Sequence, residues 1–78
     1  MTEELAIELA KSLTTEYDLR EVMIVISPET PTDWSVVADF QDGGGNLMDS
    51  VARIEGLVET NQQMGHNASF DGRYVTIQ

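Results

Sequence analysis

The sequence predicts an α+β domain with the element order α-β-β-α-β-β. Three observations predict it. Two segments carry apolar residues at helical spacing, one segment alternates strictly between apolar and polar, and a short β-branched run and a Gly-centred pair of strand-like segments supply the remaining strands. Because hydrophobic cores divide only beyond ~250 residues, residues 1–78 are read as one domain.

The first helix is expected over residues 3–17. Thr2 is placed to cap it, and Glu3 and Glu4 in the first turn suit the helix dipole. Leu5, Leu9, Leu13 and Tyr17 recur every four residues, with Ala6 and Ala10 on the same stripe. Val22-Met23-Ile24-Val25-Ile26 follows, a run whose continuous apolar character suggests a central strand covered on both faces. Two prolines, Pro28 and Pro31, then break the ladder. The next strand places Trp34, Val36, Ala38 and Phe40 on one face and Ser35, Val37 and Asp39 on the other. Together the two runs form a hairpin with a long, proline-stiffened tip.

Gln41-Asp42-Gly43-Gly44-Gly45 reads as a connection, after which Asn46 is expected to cap the second helix with Asp49 as its capping partner. Leu47, Val51, Ile54 and Val58, extended by Met48 and Leu57, give that helix its buried stripe, which fades near residues 62–64. Gly56 inside it suggests a close packing contact. Asp71-Gly72 then joins Ala68-Ser69-Phe70 to Arg73-Tyr74-Val75-Thr76-Ile77 as a two-residue hairpin. The economical assembly is one antiparallel sheet with both helices on one face. A circularly permuted ferredoxin-like arrangement fits this order, although strand order does not follow from the sequence.

Several chemistries lack their residues. There is no cysteine, so thiolate metal sites and cysteine nucleophiles are excluded. His66, the single histidine, sits between Gly65 and Asn67 and reads as a loop residue without a catalytic partner. Asp39, Asp42 and Asn46 lack the alternate spacing of a calcium loop, whose twelfth position here is Ser50. The three glycines lack the Lys-Ser/Thr of a phosphate-binding loop and are flanked by Asp42 and Asp49. The expectation is a protein that is not an enzyme, with no cofactor and no metal. No apolar run approaches the ~18 residues of a membrane span, and Met-Thr-Glu-Glu is unlike a signal peptide, so the expected location is cytoplasmic.

The dominant feature is charge. Fourteen acidic residues face four basic ones, a formal charge of −10. Such a chain is not expected to bind nucleic acid or an anionic membrane directly, but it attracts basic protein surfaces. The carboxylates of Glu3, Glu4 and Glu8, of Asp49, Glu55 and Glu59, and of Asp39 and Asp42 are the expected partner-binding groups. In brevity, absent cysteine, missing catalytic motifs and carboxylates such as Glu3, Glu4, Glu8, Asp49, Glu55 and Glu59, the chain resembles the small acidic proteins that bacteriophages use against host machinery. Anti-CRISPR proteins and other DNA mimics are members of that class. The resemblance covers overall character and no particular segment. It implies an inhibitor, in the host cytoplasm if phage-encoded, that docks on a basic surface of a nucleic-acid-handling partner. The alternative expectation is a small adaptor or a homodimer, joined through the hairpin tip, where Trp34 stands near Pro28 and Pro31, or through a sheet edge.

Overall fold

A computed structural model describes all of residues 1–78, and it has the expected order. Helix α1 spans Glu3–Tyr17, β1 Val22–Ile26, β2 Trp34–Asp39, α2 Val51–Gln63, β3 Ala68–Phe70 and β4 Tyr74–Ile77. The four strands form one antiparallel sheet in the order β1-β2-β4-β3. Each helix precedes a hairpin, α1 packing on β1 and β2 and α2 on β3 and β4. The result is two α-β-β units arranged about an approximate two-fold axis between β2 and β4. Moving β4 ahead of α1 would give the β-α-β-β-α-β order of a split βαβ sheet, so the strand order agrees with a permuted ferredoxin-like arrangement.

Alternation decides what is buried. Cross-strand rows Val22–Ala38–Val75–Phe70 and Ile24–Val36–Ile77–Ala68 share one face of the sheet. Both helices cover that face, burying Ala6, Leu13 and Tyr17 from α1 and Ile54 from α2. Phe40, one residue beyond β2, is fully buried and meets Tyr17 edge-on, with ring centroids 5.3 Å apart. Arg53 of α2 stacks over the Tyr17 ring at 4.4 Å, which sets the end of α1 against the start of α2. Thr2 caps α1 as expected, its hydroxyl oxygen accepting from the Leu5 amide at 3.2 Å. Asp18 ends that helix in the left-handed region, with φ 53°.

Five local expectations are corrected. First, β1 is an edge strand: of its inward-facing residues only Val22 and Ile24 are half-buried, Ile26 being exposed at the strand end, while Met23 and Val25 are 49% and 44% exposed on the uncovered sheet face. A continuous apolar run does not distinguish burial on two faces from burial on one. Second, α2 begins at Val51 with Ser50 as its cap, not at Leu47 with Asn46. Asp42 takes Asn46 for its own loop, accepting from the Gly44 and Asn46 amides at 2.8 and 2.9 Å, and Leu47 bridges back to Gln41. Third, Gly56 is exposed with open space around it, so no close contact requires a glycine there. Fourth, Leu5 and Val51 lie at the margins of their stripes and are largely exposed. Fifth, the second hairpin turns on Gly72-Arg73 rather than Asp71-Gly72. Gly72 supplies φ +100°, and the Asp71 carboxylate accepts from the Arg73 and Tyr74 amides at 2.9 and 2.7 Å.

Candidate functional site

The eight carboxylates expected to meet a partner fall into three groups. Glu3, Glu4 and Glu8 are exposed on the first two turns of α1. Lys11, one turn further on, makes no ion pair. Glu55 and Glu59 lie one turn apart on the flank of α2 that faces β3. There they rim a groove of about 530 Å³ with Val58, Gln62, Ala68, Ser69 and Phe70, and no cation lines it. Because β3 is the second edge of the sheet, this groove sets an edge strand, whose Ala68 carbonyl accepts from Gln62 Nε2 at 2.9 Å, beside the two carboxylates and the apolar Val58 and Phe70.

The third group is engaged within the chain. Asp39 is 7% exposed and makes a two-pronged contact with Arg73, Nε donating to Oδ1 at 3.2 Å and Nη2 to Oδ2 at 3.0 Å. The Gln41 amide donates to the same carboxylate at 3.0 Å. The Arg73 hydrogen bonds, then the Gln41 amide, hold the Asp39 carboxyl below the ordinary carboxylate range. Asp42 is likewise lowered, by the amides of Asn46 and Gly44 that it ties into its loop. Both carboxylates stand in a small cleft that also holds Arg20, Arg73 and Glu21, so two cations sit among three carboxylates there. Asp49 pairs with Arg53, one turn ahead on α2. Asp39, Asp42 and Asp49 therefore have arginine or backbone-amide partners for their oxygens, whereas Glu3, Glu4, Glu8 and Glu55 have none and Glu59 accepts only a 3.4 Å contact from the exposed Gln63 side chain.

Across the molecule, ten of the fourteen side-chain carboxylates have no cation within 4.0 Å, the exceptions being Glu16, Asp33, Asp39 and Asp49. No three His, Asp or Glu side chains converge as metal ligands, and every buried side-chain polar atom has a hydrogen-bond partner. His66 is half-buried in the loop between α2 and β3, its backbone amide donating to the Asn61 carbonyl at 3.0 Å. No helix is long and apolar enough to cross a membrane.

Sequence reasoning missed one surface. A groove of about 530 Å³ runs between α1 and the free edge of β1, lined by Ile7, Ala10, Lys11, Thr14, Thr15, Val22 and Ile24. Its signal was present in Ile7, an apolar residue outside the main stripe of α1. Comparison with protein-family models, with curated proteins and with solved structures finds no match.

Proposed function

We propose that this protein is a non-catalytic acidic binding protein that docks on a basic surface of a nucleic-acid-handling partner and inhibits it. The observation that supports this is the set of ten carboxylates left without a cation, five of which are the free groups on α1 and on the α2–β3 flank. A carboxylate that already shares its charge with arginine offers little to a partner. A free one on a helix exchanges water for an Arg or Lys at an interface, where charge-assisted bonds are about twice as strong as neutral ones. Rows of such groups on a small rigid body occupy the place of phosphates on a basic surface. Inhibition then follows from occupancy, as in anti-CRISPR and DNA-mimic proteins.

The test is capture from a bacterial lysate, followed by competition of the captured protein with duplex DNA. Electrostatic docking requires capture at low salt, elution as salt rises, and displacement of the DNA. Paired replacement of Glu55 and Glu59 with glutamine should weaken binding about tenfold while leaving the thermal midpoint unchanged, because both groups are solvent-exposed and unpaired. Capture that ignores both salt and these substitutions would sink the proposal.

A further inference from the structure

The free edge of β1 has a geometry that the acidic face does not explain. Antiparallel ladders alternate between residues that bond the neighbour and residues that point away from it. The Asp39 amide bonds the Glu21 carbonyl at 3.0 Å, and the Ser27 amide bonds the Asp33 carbonyl at 2.9 Å. With the register Met23↔Val37 and Val25↔Ser35, the odd residues of this segment face β2. The N–H and C=O groups of Val22, Ile24 and Ile26 therefore point outward from the sheet. Nothing protects them: Val22–Ile26 contains no charge, no proline and no glycine.

We infer that this edge pairs with the β1 edge of a second copy of the chain, antiparallel about a two-fold axis at Ile24, to make a continuous eight-stranded sheet. The register follows from which groups are free. Ile24 opposes Ile24 and Val22 opposes Ile26, so every outward donor and acceptor finds a counterpart. On the uncovered face Met23 then stands against Val25, removing from water two side chains that are 49% and 44% exposed in the single chain.

The helices fit the same axis. Helix α1 sits over β1 and β2 together. With strands ~4.8 Å apart, a helix centred on that pair stands about 10 Å from its symmetry mate, the upper end of ordinary helix packing. The groove lined by Ile7, Ala10 and Thr14 is then filled by the same residues of the second copy. The interface thus has two layers, strand on strand and helix on helix.

Charge selects this occupant. On a molecule of charge −10, neither β1 nor the groove beside it contributes a carboxylate. A basic segment would meet Lys11 and no acid there, whereas two acidic copies approach without acid facing acid, each exposed Lys11 turning its ammonium to solvent. The register sets Glu21 against Ser27 of the second copy, and places Arg20, which has no carboxylate within 4.0 Å of its own, at the same end as Glu29 of that copy.

Sedimentation velocity over a hundredfold range of protein concentration, at low and high salt, tests the pairing. The parent chain should double in mass, and more readily at high salt, because screening weakens the repulsion between two anions. That dependence is opposite in sign to docking on a basic partner, so the two proposals fail separately. Ile26→Pro, which removes an outward N–H without touching the β2 ladder, should leave a monomer with an unchanged far-ultraviolet spectrum. Should that variant unfold, Met23→Lys with Val25→Lys decides the matter, since both side chains lie on the uncovered face. Air oxidation of Ile24→Cys should yield a covalent dimer at least tenfold faster than Val25→Cys. Hydrogen-bonded partners stand ~5.5 Å apart at Cα, whereas two Val25 positions would be about 8 Å apart, beyond disulfide reach. A single mass at every concentration and salt, which would leave the edge to a strand of another protein, overturns self-pairing. A dimer that survives both edge variants, or equal cross-linking of the two cysteine variants, overturns it too.

Discussion

At the Asp39–Arg73 contact the turn of the second hairpin is tied to the end of β2, so this ion pair, like the longer Arg53–Glu16 pair, joins the two α-β-β halves. Arg73 is half exposed and also stacks over Tyr74 at 4.9 Å, so water remains a competing partner. Asp39→Asn should therefore cost about 1–2 kcal/mol, less than the loss of a fully buried pair. The pH dependence has a definite sign. Asp39 titrates below its unfolded value, so its contribution is complete above the unfolded carboxylate pKa of ~3.9 and is lost as pH falls through the lower folded value. Urea denaturation of parent and Asp39→Asn should show a gap in midpoint at pH 7 that closes towards pH 3. A gap that persists would mean that packing, not charge, holds the contact. This pairing was not legible in the sequence, because Asp39 and Arg73 are 34 positions apart and meet only once β2 and β4 are neighbours.

Among the elements, the second helix separates two rival starts. Ser50 accepts from the Arg53 amide at 3.2 Å, so Ser50→Ala should lower stability by about 1 kcal/mol in thermal or urea unfolding. Asn46→Ala should leave the helix cap intact and loosen only the Asp42 loop. Gly56→Ala should stabilise the domain by up to ~1 kcal/mol, since an added methyl meets open space. These positions also show what the sequence carries. The spacing of Ala6, Leu13 and Tyr17 and the alternation of Val36, Ala38 and Phe40 report burial directly, so α1 and β2 were legible to within a residue. Asn46 and Ser50 are both good caps, and choosing between them depends on a hydrogen bond from Asp42 that spacing does not display. Strand order was hidden for a related reason: β1 is the more continuously apolar of the two strands, and only the final placement of β4 beside the alternating β2 puts β1 at the edge.

For the whole molecule, two grooves flank the sheet at its two edges, and their linings differ in charge. The α1–β1 groove has Lys11 and no acid, whereas the α2–β3 groove has Glu55 and Glu59 and no cation. The candidate carboxylates could be named from composition, but their division into free and engaged sets depends on where Arg53 and Arg73 fall in space and on the loop amides that bond Asp42. A functional role for the free set makes the α1 and α2 groups separable from the rest. Replacing Glu4 and Glu8 with glutamine should weaken docking, while replacing Asp42 should act on loop stability and leave docking almost unchanged. The most direct test is the dissociation constant for the captured basic partner, measured across a salt series for the parent chain and the Glu55→Gln, Glu59→Gln pair. Docking through these carboxylates predicts a steep loss of affinity with salt in the parent and a shallower slope, from a weaker start, in the variant. Identical slopes, or an affinity indifferent to salt, would contradict it.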